Sequence, residues 1–262
     1  MNEVLLPKLF NQTEVQAWMR QSHYLWGVWA VTASYVAMVF VGPRLMAGRR
    51  EFRLDKILAG WNLTFALFSA ASLYYTLDDF IRAWRKLGFT GTYCHNLEYY
   101  RTPSSGYWSL LFTLSKTLEL GDTAFLILRK RPVLLLHWYH HAYTYVYGQI
   151  IYTVEPAWVR WAVITNAAVH SIMYSYFFLR AVKVRPPKLV ALCVTGLQIL
   201  QMVLFLGQFL HLLTIDFSNS GWCDGSFHVY FFGALMTASY TVLFSRFFYF
   251  AYLAPAAKSK GQ

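Results

Sequence analysis

Charge is scarce in this chain. Only 13% of its 262 residues are Asp, Glu, Lys or Arg, while 57% are hydrophobic and 19% aromatic. An ordinary soluble domain carries about 25% charged residues. Half that cover cannot solvate a globule of this size, so a soluble domain is excluded. The same apolar excess excludes disorder, which needs low hydrophobicity and high charge. Cysteine is scarcer still, and three residues cannot staple a disulfide scaffold of this length. No signal peptide opens the chain: residues 1–22 hold Glu3, Pro7 and Glu14 and lack a basic start followed by an apolar core. Internal repeats and a soluble domain are also missing. What remains is an integral membrane protein.

A helical span needs about 20 mostly apolar residues. Seven stretches qualify: 24–41, 57–77, 107–128, 133–154, 158–179, 189–213 and 227–253. Their unbroken apolar runs lack the two-residue alternation of a barrel strand and predict helices. Acidic residues are few against basic ones, 12 to 23, for a net charge of +11. In a soluble protein that balance would suggest nucleic acid. Here it fits the excess of Lys and Arg in cytoplasmic loops of membrane proteins, and no nucleic-acid partner is expected. Fourteen basic residues fall on one side, in the 43–56 loop, the Arg129-Lys130-Arg131 turn, the 180–188 loop and the tail; seven fall on the other. The spans thus predict a lumenal N-terminus (1–23) and a cytosolic tail (254–262), with Lys116 and Arg246 inside spans.

Two lumenal features follow. Asn11-Gln12-Thr13 is a glycosylation sequon on the lumenal side, whereas Asn62-Leu63-Thr64 lies within a span and is discounted. Cys94 and Cys223 fall in two lumenal loops, 78–106 and 214–226, where an oxidising lumen permits a disulfide. Cys193, inside a span, reads as a small packing residue.

Ionisable groups inside a span are costly and mark function. His137, His140 and His141 lie at i, i+3 and i+4, so their imidazoles share one helix face. Lys116, Glu119 and Asp122 follow at steps of three, and the first two can neutralise each other. Such a pair can also be purely structural. Asn166, His170 and Tyr174 form a third face, and Thr195, Gln198 and Gln201 a fourth. Any one face could be interhelical glue. Four in succession require a shared polar interior, hence a cavity. Imidazole there can bind metal, act as a base or act as a nucleophile. A di-iron oxygenase or desaturase would need further histidine boxes, and His23, His95, His211 and His228 are scattered. A seven-helix transporter would use Lys116 and Glu119 as a proton relay. A thiol nucleophile has only Cys193 to draw on.

Five linked motifs carry a resemblance: Lys116-x-x-Glu119-x-x-Asp122-Thr123; Leu128-Arg129-Lys130-Arg131-Pro132; His137-Trp138-Tyr139-His140-His141; Asn166-x-x-x-His170-x-x-Met173-Tyr174-x-Tyr176; and Thr195-x-x-Gln198-x-x-Gln201. In this order they resemble the ELO family of endoplasmic-reticulum fatty acid elongases over nearly the whole chain. Trp-Tyr inside the histidine box looks like the branch acting on saturated and monounsaturated chains. The tail Lys258-Ser259-Lys260-Gly261-Gln262 looks like a dilysine retrieval signal.

The resemblance implies a single seven-span domain over residues 1–262, all-α, with six helices forming a barrel around a substrate tunnel. It implies a 3-oxoacyl-CoA synthase: acyl-CoA plus malonyl-CoA gives 3-oxoacyl-CoA, CO2 and CoA, with malonyl-CoA as co-substrate and no metal or redox cofactor. His140 would attack the thioester and hold the acyl group as an acyl-imidazole, or act as base in a ternary complex. His170 would orient malonyl-CoA, and His137 and His141 would set tautomers or supply donors. Asn166, Gln198 and Gln201 would bond developing oxyanions. Lys116, Glu119, Asp122 and Tyr174 join the expected substrate site. Arg129, Lys130, Arg131, Arg180, Lys183, Arg185 and Lys188 are candidates for the CoA phosphates. Implied partners are the 3-ketoacyl-CoA reductase, 3-hydroxyacyl-CoA dehydratase and enoyl-CoA reductase of the cycle, and a homodimer.

Overall fold

The computed structural model describes residues 11–219 and 221–254. Its described residues form helices and connecting turns: α1 (Gln12–Met19), α2 (Ser22–Met46), α3 (Asp55–Cys94), α4 (Pro103–Glu119), α5 (Gly121–Leu128), α6 (Leu135–Tyr152), α7 (Val159–Ala181), α8 (Lys188–Ser218), α9 (Phe227–Phe248) and a π-helical turn (Tyr249–Leu253). The expected tail signal at Lys258 and Lys260 lies outside the described residues.

Among the described residues, five helices are long and apolar enough to cross a membrane: α2, α3, α7, α8, and α9 continued through the π turn. The two other expected spans fall short for different reasons. Residues 107–128 divide at Leu120 into α4 and α5, of 17 and 8 residues. Helix α6 has 18 residues but carries the histidine box and five tyrosines, which lower its hydropathy. Packed neighbours nevertheless run in a circuit, α3–α4–α6–α9–α8–α7 and back to α3, with α2 lying against α5 and α6.

The expected 78–106 loop is mostly helix. Helix α3 continues past residue 77, where Arg82 pairs with Asp78 at 3.5 Å and Asp79 at 3.8 Å, one turn away on either register. It breaks at Gly88, whose φ of 68° and ψ of −175° suit only glycine. The short helical stretch beyond ends at Cys94, which is disulfide-bonded to Cys223 with Cα atoms 4.5 Å apart. Backbone bonds reinforce that junction: Asp224 N–H donates to Cys94 O, and Ala157 N–H to Asp224 O.

This disulfide end has a polar core that the charge count missed. Arg160, counted as a loop cation, is fully buried. Its Nε donates to Asp79 Oδ2 at 2.8 Å, Nη1 to the carbonyls of Thr92 (2.6 Å) and His95 (3.1 Å), and Nη2 to that of Asn96 (2.6 Å). Its guanidinium also lies over the Tyr99 ring, and burial holds the Tyr99 hydroxyl above the usual phenol range. Arg20, another of the seven basic residues expected on the lumenal side, caps α6 by donating to Thr153 O. Asn11 caps α1, its Oδ1 accepting from Glu14 N–H at 3.4 Å. Cys193 is exposed on α8 rather than packed.

Between this end and the bundle centre lies an aromatic core containing Tyr147, Trp158, Phe209 and Tyr240. Gly233 of α9 closes against it: a Cβ there would lie 2.6 Å from Tyr147 Oη, which is already fixed by donating to Val229 O. Gly233→Ala will therefore overpack a core that cannot yield, lowering stability by about 1–3 kcal/mol. Thermal unfolding of the detergent-solubilised protein measures it, and an unchanged midpoint refutes the packing argument.

Candidate functional site

At the opposite end the loops are basic and interlocked. Phe52 N–H donates to Leu128 O, Lys130 Nζ to Ala47 O, and Arg129 pairs with Asp55 at 3.0 Å. Between them opens a cavity of about 840 Å³. Arg129, Arg131, Arg180 and Lys183 line it, and deeper in so do His137, His140, His141, Asn166, His170, Gln198 and Gln201. The polar faces expected on separate spans thus meet at one space. Each arrives by helical spacing: α6 presents its imidazoles from successive turns, and α7 places Asn166, His170 and Tyr174 one turn apart.

Individual bonds differentiate the histidines. His137 Nε2 lies 2.9 Å from Thr123 Oγ1, which meets the Tyr35 hydroxyl at 2.7 Å. Helix α2, though outside the helix circuit, thereby reaches the site through Tyr35. The His137 and His141 rings are 4.5 Å apart. His140 has no side-chain hydrogen bond among the described residues; its ring packs on Tyr240 at 4.8 Å and on His141 at 5.4 Å. Its backbone is pinned, since Tyr240 Oη donates to His140 O at 3.0 Å. Its ring lines the cavity with both nitrogens free of side-chain partners among the described residues.

Asp122 lines the cavity as an anchored carboxylate. Trp61 Nε1 donates to one oxygen at 2.6 Å and Tyr174 Oη to the other at 2.8 Å. Gln198 Nε2 reaches Met173 Sδ at 3.2 Å. Thr195 does not line the cavity; it meets Tyr252 of the π turn at 3.2 Å.

Five expected substrate contacts fall elsewhere. Lys116 and Glu119 are buried behind the wall, 2.7 Å apart, and do not line the large cavity. Lys130 is turned to Ala47, with φ of 52°, and Lys188 sits at the start of α8; neither lines the cavity. Arg185 is also absent from the lining, and Arg246 is exposed over the Phe250 ring. Conversely, Asn62 and Asp55 line the cavity unforeseen. Asn62 was set aside as an intramembrane sequon; its Nδ2 donates to Leu58 O, within its own helix.

Among the described residues, no group of three His, Cys, Asp or Glu side chains is arranged to hold a metal ion. Cys193 does not line the cavity and cannot share it with His140.

A profile of the GNS1/SUR4 family (ELO) matches residues 20–260. The chain is 42% identical over 231 residues to "Long chain fatty acid elongase 2" of Caenorhabditis elegans, covering 88% of this chain and 84% of that one. It is 35% identical over 260 residues to "Very long chain fatty acid elongase 6" of Homo sapiens, covering 99% and 96%. Against "Very long chain fatty acid elongase 3" of Homo sapiens it is 36% identical over 233 residues, covering 86% and 83%.

Proposed function

Because the chain belongs to the GNS1/SUR4 (ELO) family and so to fatty acid elongation, we propose that it is the condensing enzyme of that process, a 3-oxoacyl-CoA synthase acting on long saturated and monounsaturated acyl-CoA. One observation carries this reading: a single cavity has a basic mouth and an imidazole-lined interior. Anionic phosphates belong at the mouth, where Arg129, Arg131, Arg180 and Lys183 can hold them by charge-assisted bonds. The thioester then reaches the histidine layer.

In this proposal the reaction has two halves. An imidazole nitrogen of His140 attacks the thioester carbonyl, the C–S bond breaks, and the CoA thiolate takes up the proton released by the imidazolium. Malonyl-CoA next enters. Its carboxylate leaves as CO2, the bonding electrons become a thioester enolate, and that carbon attacks the acyl carbon as His140 departs and takes up a proton from water to return to neutral imidazole. Asn166, Gln198 and Gln201 can donate to the oxyanions formed. His137 and His141 orient the box, His170 faces the malonyl unit, and Asp122 with Tyr174 fixes the wall near the mouth.

Loss of CO2 drives the second half, so the proposal requires no resident metal or redox cofactor. We further propose seven spans with the helix circuit as the barrel, over residues 1–262 as one domain. The disulfide end is placed in the lumen of the endoplasmic reticulum, where Asn11 can be glycosylated, and Lys258 and Lys260 retrieve the protein from the cytosolic side. A homodimer working with the reductases and dehydratase of the cycle completes this picture.

The test uses purified protein and a long-chain acyl-CoA without malonyl-CoA. Intact-protein mass spectrometry should show one added acyl mass, with equal release of free CoA. No adduct and no CoA release, with product formed once malonyl-CoA is added, would replace the acyl-imidazole by a ternary complex. No product with any acyl donor would reject the condensing activity.

A further inference from the structure

Behind the cavity wall sits an expensive arrangement. Lys116 and Glu119 are both at most 5% exposed and lie among α4, α3 and α7. Burying two charges costs several kcal/mol each before they attract, so such a pair rarely stabilises a fold over apolar residues. Its contacts give it another use. Lys116 Nζ donates to Glu119 Oε1 at 2.7 Å and to Asn166 Oδ1 at 2.9 Å, beside the Phe112 ring. Ser115 Oγ donates to the same Glu119 oxygen at 3.1 Å. The other oxygen, Oε2, stands 3.9 Å from His170 Nδ1, in ion-pair range though longer than a hydrogen bond.

The consequences for Asn166 and His170 are opposite. An ammonium group has donors and no acceptor, so Asn166 must turn its oxygen to Lys116. Its NH2 group is left for the cavity, which Asn166 lines. A carboxylate only accepts, so Glu119 favours the His170 tautomer with its proton on Nδ1. His170 Nε2 is then an acceptor, and His170 also lines the cavity. One turn apart on α7, the two side chains become a donor and an acceptor.

We propose that Lys116 and Glu119 are positioning residues that never touch substrate: their ion pair fixes Asn166 as a hydrogen-bond donor and His170 as an acceptor toward the reacting thioester. This rests on the condensing-enzyme reading. It gives the enolate oxygen a preset N–H, and it gives the imidazolium proton a preset lone pair that takes it up and passes it to the CoA thiolate, without side-chain reorganisation during reaction.

The test is Asn166→Asp, measured with Lys116→Met, Glu119→Gln and Glu119→Asp. An aspartate carboxylate still accepts from Lys116 Nζ, so the fold is kept, but it offers the cavity no donor. We expect kcat for malonyl-dependent product to fall about 10²-fold, as for loss of one oxyanion donor, with KM for acyl-CoA within threefold. Its unfolding midpoint should stay within about 2 °C of wild type. Lys116→Met frees the Asn166 amide to rotate and should lower kcat comparably. Glu119→Gln can present N–H to His170 and reverse its tautomer; Glu119→Asp restores the acceptor and should recover part of the loss. Wild-type protein that makes no malonyl-dependent product rejects the enzyme reading, and the inference falls with it. Active wild type beside an Asn166→Asp variant keeping a third or more of kcat rejects the inference alone.

Discussion

Replacement of His140 by alanine should remove the acyl adduct and lower malonyl-dependent product formation by about 10³-fold or more, in line with loss of a covalent nucleophile. The size follows from what remains. The basic mouth and the amide donors of Asn166, Gln198 and Gln201 survive the change, so binding and oxyanion stabilisation continue while the attacking atom is gone. The neighbours cannot substitute. His137 is engaged with Thr123 at 2.9 Å, and His141 stands against His137 with ring centroids 4.5 Å apart. His137→Ala and His141→Ala should therefore lose activity by smaller factors and still acquire acyl mass. Mass spectrometry and product formation are read on the same preparations. The variant keeps the Tyr240 bond to its backbone carbonyl, so its fold is supported independently of the ring. An adduct persisting in His140→Ala would move the nucleophile to another imidazole.

Much of this site is legible in sequence because helices convert spacing into direction. Imidazoles at i, i+3 and i+4 on α6, and polar residues at i, i+4 and i+8 on α7, had to share faces, and the cavity joins those faces. Depth is less legible. Lys116, Glu119 and Asp122 follow one spacing, yet the break at Leu120 puts Asp122 on α5 at the cavity and leaves the ion pair behind the wall. Hydropathy also under-reads functional helices: the residues that build the site are those that make α6 too polar to score as a span. Basic residues of one loop look equivalent in sequence, but Arg131 lines the cavity while Lys130 turns away to a backbone carbonyl.

Arg160 marks the limit of such reading, because three of its four acceptor groups are backbone carbonyls, which carry no sequence signal, and the fourth lies on Asp79, 81 positions away. Its replacement is the largest stability effect expected. Arg160→Met removes every side-chain donor from a fully buried site and strands the carbonyls of Thr92 and His95, while that of Asn96 keeps only the Tyr99 N–H. Removing one partner of a buried pair costs about 3–5 kcal/mol. Asp79 retains Arg82 at 3.8 Å on its other oxygen, which places the loss toward about 3 kcal/mol. For a chain of this size that is a fall of roughly 10 °C in unfolding midpoint. Arg160→Lys should recover only part, since one ammonium cannot replace a planar fork reaching Asp79 and three carbonyls. The double variant Arg160→Met with Asp79→Leu should be less destabilised than the sum of the singles, because no buried carboxylate is then left short of its partner. Arg160 does not line the cavity, so the fraction that stays folded should keep its kcat and KM. A changed KM at unchanged midpoint would place Arg160 in the substrate's path instead and overturn its structural assignment.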